Sequence, residues 1–600
     1  MSFKKINQAV TALQQGDIKL AVSLFDKHRR ELKQPQHLHA CIMAYYQTNR
    51  LDDAEAVLKK LFSRVPSTPQ LVSLAADIKK AKGDASGAVV DYRRALKMGP
   101  QIPELNYNLA LALFELSEIT EATSLLKQAL LSRPNYVKAK ILQGRCLAAN
   151  EQFDQAQAAL AAATDIDPQN YAGHYRLGRL YLHRGNSEKA TASLQQALML
   201  NPSLLAAEEL LILNSIRAGD RQAAANQVAT KLNRMPDNEN LIALATDWAV
   251  ETAAENPFNH YQNAWAKQPR PGLFSGYIKR LIATHNIEHA EILLTDYESR
   301  FGHDLPWESA KLALLQSYEN YGEMMAFIGS SQNQSAHLEQ QCLAQFALGD
   351  YGSSFDCAKK LHLGQPRDQY YLALLTTAMR CLGDKRYDEL VDYKKLILDA
   401  NLQSQQDQQQ FAGLNQNLIN HLNSLHITDT APLEQSINSG TQTPGNLFSQ
   451  SQHSSIEQLK ISLTKASSTF FESLRTSELN ELHPVMANAP AVPFFNASWS
   501  IRSTTGSYHS AHVHSKGWYS SACYINVPDV IDDSSDAGYL LFGVPPFKTR
   551  DRLDADYKIK PETGKLALFP SYFWHSTKPY SGEGDRLVVA FDAGGPNLFV

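Results

Sequence analysis

Tyr171–Pro202 reads YAGHYRLGRLYLHRGNSEKATASLQQALMLNP, and its spacing describes two helices packed side by side. Leu177, Gly178 and Tyr181 fall on the first helix, and Ala190, Leu194 and Ala197 on the second. Small residues at Gly178 and Ala190 let the backbones approach while the larger ones fill the space beside them. Pro202 stops the second helix, since proline has no N–H to donate. The unit recurs along the chain. Pro66, Pro100, Pro134, Pro168, Pro202 and Pro236 follow one another at a constant step, and Ala88/Ala95, Ala122/Ala129 and Ala156/Ala163 repeat the small-residue pair at one phase.

A helix–turn–helix unit of about 34 residues resembles the tetratricopeptide repeat. The resemblance spans about 35–236, with a weaker pair at the N-terminus. It implies a right-handed solenoid over 1–236 whose stacked pairs build a surface for a peptide or protein partner. A plainer role as scaffold is the alternative. Beyond Pro236 the register decays but the helical pattern persists. YIKRLIATHNIEHAEILLTDYESRF and SAHLEQQCLAQFALGDYGSSFDCAKKLHLGQP read as further helical pairs, so 237–400 is expected to hold degenerate repeats.

Composition narrows the function classes. A chain of 600 residues is too long for one core. With 44% hydrophobic and 20% charged residues it has the make-up of a water-soluble protein, and no run of about 20 apolar residues points to a membrane. A net charge of −4 argues against nucleic-acid binding. The N-terminus lacks an apolar segment of signal-peptide length, and Cys41, Cys146, Cys342, Cys357, Cys381 and Cys523 form no CxxC pair. A cytoplasmic protein with reduced thiols is the expectation.

The texture changes after residue 400. The Gln-rich NLQSQQDQQQ marks a boundary, and SIEQLKISLTKASSTFFESL is an amphipathic helix, so 401–490 reads as linker and helical support. From about 491 to 600 short aromatic and β-branched runs alternate with turn residues. FFNASWSIRS, SYHSAHVH, WYSSACYINV, GYLLFG, KLALFP and RLVVAFDAG are the expected strands. The fold class is therefore α + β multidomain, an α-solenoid followed by a double-stranded β-helix, or jelly roll.

Within SYHSAHVHSKGWYSSACYIN, Ser507–Asn526, His512 and His514 are two apart. On a strand such a pair shares one face and can reach one ion. A third ligand can come from His575, which follows KLALFPSYFW, and Arg586 opens the last strand. The stretches SWSIRSTTGSYHSAHVHSKGWYSSACYINVP, TGKLALFPSYFWHSTKPY and RLVVAFD resemble the 2-oxoglutarate/Fe(II)-dependent oxygenases that follow tetratricopeptide arrays in bacterial proteins. The resemblance runs from the neighbourhood of Ala431 to the end of the chain. It implies Fe(II) on His512, His514 and His575, with 2-oxoglutarate as cosubstrate held by Arg586 and Tyr524. No catalytic residue is implied beyond the metal site. His509, Trp518, Trp574, Asn526 and Arg502 are candidates for its surroundings.

Two departures stand out. The wider superfamily has His-x-Asp or His-x-Glu where this chain has His514, and Asn438 stands where similar proteins carry arginine. His509 or Asp592 could instead complete the metal shell. Two other readings compete with the oxygenase. A cupin-type metal enzyme fits Gly506 before the His pair and Gly564, Pro570 and His575 after it, but has no need of Arg586. A non-catalytic adaptor would use the repeats alone.

Overall fold

The computed structural model describes residues 2–594 except 117, 151, 185, 218–220, 253, 403–407, 427–435, 444–445, 452, 478, 480–482 and 488–493. It divides into two units, one of 1–180 with 193–203 and one of 181–192 with 204–595.

The first unit is a succession of helical pairs: Ser2–Gln14 with Ile18–Lys27, Pro35–Gln47 with Leu51–Phe62, Pro69–Ala81 with Ala85–Met98, Pro103–Glu115 with Ile119–Ser132, and Val137–Ala149 with Phe153–Ile166. The phased prolines lie in the turns that follow each second helix. The small-residue reading has a direct geometric counterpart. A Cβ at Gly178 would meet Leu194 Cγ at 2.7 Å, and one at Gly144, the equivalent place one repeat earlier, would meet Leu160 Cγ at 2.6 Å. Ala156, Ala163, Ala190 and Ala197 are fully buried. In these two pairs a leucine of one helix interlocks with a glycine of the other, and the buried Ala110 and Ala76 hold the equivalent place one and two repeats before Gly144.

The second unit continues in helices, including the pairs Pro271–Ala283 with Ile287–Phe301 and Leu338–Leu348 with Tyr351–Gly364, and then becomes a two-sheet barrel. Its strands are β1 (Leu398–Asn401), β2 (Ile437–Gln442), β3 (Phe494–His509), β4 (Tyr519–Asn526), β5 (Leu540–Phe542), β6 (Tyr557–Ile559), β7 (Lys565–Pro570), β8 (His575–Thr577) and β9 (Arg586–Gly594). The larger sheet runs β1-β7-β4-β9-β3-β2 and the smaller β6-β5-β8, all neighbours antiparallel.

This differs from the sequence reading in three ways. The larger sheet takes β1 and β2 from upstream of residue 491. β1 pairs Leu398 with Leu568 and so covers an edge of β7 that would otherwise expose unpaired backbone groups. FFNASWSIRS and SYHSAHVH are not two strands: β3 runs through both and ends at His509, short of His512. β6 and β8 are three residues each, too brief for alternation to reveal.

Both faces of β4 are covered. Tyr519 packs edge-on against Phe470 and Phe471 of the helix Ser454–Arg475, with ring centroids 5.8 and 5.2 Å away. The opposite face carries Ser520, Ala522 and Tyr524 toward the barrel interior. There Phe542 of β5 meets Phe569 of β7 at 5.0 Å, joining the two sheets. The helix Gln369–Leu382 clamps the barrel from outside. Trp574 Nε1 donates to Thr377 Oγ1 at 2.8 Å, Arg380 Nη1 donates to the Gly543 carbonyl at 2.7 Å, and Gln369 N donates to the Ser515 carbonyl at 2.9 Å. All six cysteines are free, five of them buried. Among the described residues no helix is long and apolar enough to cross a membrane.

One buried group beneath the larger sheet makes a pH prediction. His426 bonds Ser500 Oγ at 3.0 Å and Thr441 Oγ1 at 2.8 Å. Burial, helped by the nearby Arg502 charge, pulls its pKa from 6.5 down to about 4. The unfolded chain therefore takes up a proton below pH 6.5 that the folded chain refuses until about pH 4. Stability should fall as pH drops through that window, by at most about 1.4 kcal/mol per pH unit, and be unaffected above it. Thermal melts of the protein and of His426→Gln between pH 7 and pH 4.5 check this; the variant should show the shallower acid slope.

Candidate metal centre

His512 lies just past β3 in an extended segment that pairs with β8. His512 N donates to the His575 carbonyl at 3.0 Å and His575 N to the His512 carbonyl at 3.1 Å. Residues that exchange both bonds stand directly opposite, so their side chains leave on the same side. His514 continues the segment, its N–H donating to the Ser571 carbonyl at 3.1 Å. The two-residue spacing thus acts as on a strand although the segment is not part of one. Ring centroids lie 4.2 Å apart for His512 and His575, and 5.2 Å apart for His514 with either of the others. One ring nitrogen from each lies within 4.8 Å of the other two.

The hydrogen bonds fix which nitrogen faces inward. His512 Nδ1 donates to the Ser510 carbonyl at 2.8 Å, His575 Nδ1 to the Phe573 carbonyl at 2.9 Å, and His514 Nδ1 to Asp592 Oδ1 at 2.5 Å. A carbonyl cannot donate, so the proton of His512 and His575 sits on Nδ1 and Nε2 carries the lone pair. Three imidazoles with their outer nitrogens tied and inner ones converging suit a divalent first-row ion. Burial and mutual proximity hold His512 down at about 4 and His575 well below its ordinary value. For His514 burial acts the same way, but the Asp592 carboxylate more than offsets it and the pKa is raised.

Asp592 stands behind the cluster. Its Oδ1 also accepts from Ser520 Oγ at 2.8 Å, and Ser520 in turn meets Ser571 Oγ at 2.9 Å. This places the carboxylate one hydrogen bond behind the histidine cluster, on the far side of His514. If the cluster holds a divalent first-row ion, Asp592→Asn should keep the fold and weaken that ion's binding by about 10–100-fold, the usual cost of losing such a supporting acceptor. Anaerobic equilibrium titration with the metal measures it.

Arg586, Val588, Ala590 and Asp592 alternate along β9 and share its inner face. Arg586 is 1% exposed. Its Nη1 donates to the Gly538 carbonyl at 2.7 Å and its Nη2 lies 3.5 Å from Thr577 Oγ1, while its Nε is buried without a partner among the described residues. It enters no ion pair among the described residues. Burial drags its pKa below the ordinary arginine value against the pull of the Tyr524 and Tyr580 phenols. Thr577 sits two residues along β8 from His575, so the guanidinium lies about 7 Å along the strand from the histidine cluster. Tyr524 is 2% exposed and packs with Ile437, Ile501 and Val588; burial pushes its phenol up to about 12, opposed by Arg586.

The remaining candidates divide. His509 is close: its ring meets Ser436 Oγ at 3.0 Å, and the same hydroxyl lies 3.2 Å from His512 Nε2. Trp518 and Trp574 do not line the site. Trp518 Nε1 donates to the Val485 carbonyl and its ring lies 4.6 Å from Phe471, while Trp574 is held by Thr377, so both fasten the barrel to its helices. Arg502 lies on the face of β3 opposite Trp499 and Ile501, beside His426, and Asn526 Nδ2 ties the end of β4 to the Asp585 carbonyl at 2.6 Å. Asn438 donates to the Ser436 carbonyl at 3.2 Å, which shapes the turn that presents Ser436. Sequence reasoning missed Ser436 and Thr577, which carry no motif, and read Asp592 only as an alternative ligand. Its phase with Arg586 on β9 was the signal that set it on the inner face.

Comparison with known families agrees with this division. The model described as "Putative 2OG-Fe(II) oxygenase" matches residues 497–592, and two tetratricopeptide repeat models match 73–137 and 147–210. A search of curated proteins found no match. Among solved structures the chain is similar to YrrB, described as a TPR protein with an unusual peptide-binding site, at 26% identity over 30% of this chain and 95% of that one, TM-score 0.25. It is also similar to PilW, a type IV pilus biogenesis factor, at 22% identity over 34% and 96%, TM-score 0.33. MamA from Desulfovibrio magneticus RS-1 matches at 23% identity over 28% and 97%, TM-score 0.26. The chain carries tetratricopeptide repeats followed by a domain of the 2OG-Fe(II) oxygenase family.

Proposed function

We propose that the barrel is an Fe(II)- and 2-oxoglutarate-dependent oxygenase that hydroxylates a peptide or protein held by the repeat array. The observation that carries this reading is the pairing of three inward-facing imidazole nitrogens with one buried, uncompensated guanidinium. His512, His514 and His575 would hold Fe(II), and Arg586 with Tyr524 would hold the distal carboxylate of the cosubstrate. When bound, iron and 2-oxoglutarate supply oxidative decarboxylation and C–H hydroxylation. The chain's own residues do the positioning. Ser510, Phe573 and Asp592 keep the three imidazoles in the tautomer that presents Nε2. The Arg586 Nε, which has no partner, offers a charge-assisted bond to a carboxylate. The apolar wall of Ile501, Tyr524 and Val588 excludes water around it.

Charge supports the dianion. Two positive charges of iron and two negative ones of 2-oxoglutarate cancel, and Arg586 and Asp592, which do not touch, sum to zero, so the filled cavity is neutral as a whole while the Arg586 guanidinium gains a contacting carboxylate. A cupin without a dianionic cosubstrate would leave the Arg586 charge buried and unpaired, which is costly. The purified protein with Fe(II) and oxygen should convert 2-oxoglutarate to succinate, slowly alone and faster with its partner. Absence of any iron-dependent 2-oxoglutarate turnover, alone or with candidate peptides, would overturn the oxygenase reading and leave the cupin and adaptor readings.

A further inference from the structure

Arginines gather on one stripe of the first unit where the repeat pattern calls for other residues. Arg145 and Arg179 occupy the same position of successive repeats, on Val137–Ala149 and Tyr171–His183. Arg176 lies three residues before Arg179, on the same helix face. It stands where the repeats one and three units earlier place the buried Leu142 and Leu74. Leucine at that position packs into the array; arginine there puts a cation into a half-buried setting.

Two of these cations lack the carboxylates that would ordinarily compensate them. Arg145 stacks on Phe114, 4.4 Å from the ring centroid, and its Nε is buried with no hydrogen-bond partner among the described residues. Neither Arg145 nor Arg176 enters an ion pair among the described residues. The nearest acid to influence Arg145, Glu115, is engaged by Lys80 at 3.4 Å. Burial, reinforced by repulsion from Arg145 and Arg179, holds Arg176 down at about 10. Tyr107 stands beside Arg145, its ring centroid 5.4 Å from that of Tyr136, and Tyr175 lies 5.4 Å from the Arg176 guanidinium and 5.8 Å from that of Arg179. Converging guanidiniums that repel one another, set among aromatic rings, are a cost to the free protein that an anionic ligand removes.

We propose that Arg145, Arg176 and Arg179 form the anchor for an acidic peptide segment of a partner protein, its Asp or Glu carboxylates bridging the guanidiniums and its apolar side chains lying on the half-buried rings of Tyr107 and Tyr175. A peptide is favoured over a nucleic acid because the chain's overall charge is negative and the stripe alternates cations with aromatic and aliphatic surface. The proposal rests on the receptor half of the function proposed above and not on the iron site, so its test reads binding and not turnover.

The probe is a fluorescein-labelled twelve-residue peptide rich in Glu and Asp with two leucines, against the same peptide with Gln and Asn, using the full-length protein. The acidic peptide should bind at least tenfold tighter, and the preference should shrink as salt is raised. Arg145→Gln should weaken it about tenfold. Arg176→Leu restores the residue of the equivalent positions, so it should raise the melting temperature while weakening the peptide about tenfold. A purely structural arginine would move stability the other way and leave binding alone. The proposal is overturned if the amide peptide binds as well as the acidic one, or if Arg176→Leu binds normally. It is equally overturned if a single-stranded oligonucleotide of matched charge binds more tightly than the peptide. Peptide binding without 2-oxoglutarate turnover would sink the oxygenase reading and leave this one standing.

Discussion

Arg586→Met is expected to keep Fe(II) and lose 2-oxoglutarate. Removing one partner of a buried charge pair across a binding site costs about 2–5 kcal/mol, so the cosubstrate dissociation constant should rise by about 30-fold or more. The stability of the free protein should move the other way. In the ligand-free barrel the guanidinium is 1% exposed, has an unpartnered Nε and meets no carboxylate among the described residues. Methionine fills much of the same volume without the cost of burying a charge, and such replacements are worth about 1–4 kcal/mol in favour of the variant. Two melts separate the cases. The wild-type protein already loaded with Fe(II) should gain melting temperature on adding 2-oxoglutarate, as any ligand that binds only the folded state requires. Arg586→Met should begin higher and gain nothing. A variant that melts lower and still shifts with 2-oxoglutarate would make Arg586 an ordinary structural residue.

How much of this was legible beforehand follows from where the physical signals lie. The repeat was readable because its turns carry prolines at a constant step and its close helix contacts demand small residues at one phase, Ala88/Ala95, Ala122/Ala129 and Ala156/Ala163, with Gly178 beside Leu194 in the clearest unit. The long strands β3, β4, β7 and β9 were readable from aromatic and β-branched runs. β1 and β2 were not. INSGTQ carries little apolar alternation and includes Ser439 at φ +57°, where the register with β3 shifts, so its strand character comes from the partner and not from its own residues. The histidine cluster was legible through the His512/His514 spacing, although the segment holding it is fixed by pairing with β8 and not by strand propensity. Trp574 misled because a residue next to His575 in extended backbone points to the opposite side from it; Trp518 is parted from His514 by a turn at 515–516 and packs against Phe471 instead. Thr577 and Ser436 act only through position, and position is a property of the fold.

His575→Ala should abolish the metal centre outright. His575 is 7% exposed and pairs through its backbone with His512, so the variant should keep β8 and lose only the ring. With two imidazoles left, Fe(II) affinity should drop by at least about 100-fold, beyond the loss expected of a supporting residue alone. His514→Ala should do the same and, in addition, strand Asp592, whose Oδ1 would keep only Ser520 as a donor in the barrel interior. A buried carboxylate deprived of its partner costs about 1–3 kcal/mol or more, so this variant should also melt lower. His514→Asp offers a carboxylate in the imidazole's place, as the wider superfamily has it. Next to Asp592 it brings two acids together, so recovery of iron should be partial in that variant and fuller in His514→Asp combined with Asp592→Asn.

The most direct measurement is an anaerobic titration of the full-length protein with Fe(II) and then 2-oxoglutarate, followed by metal analysis and visible absorbance. One iron per chain is expected, with a metal-to-ligand absorption band that saturates at one equivalent of 2-oxoglutarate. The band should vanish with the metal in His512→Ala, His514→Ala and His575→Ala, and require far more 2-oxoglutarate in Arg586→Met. Normal iron content and a normal band in His514→Ala would contradict the three-histidine centre.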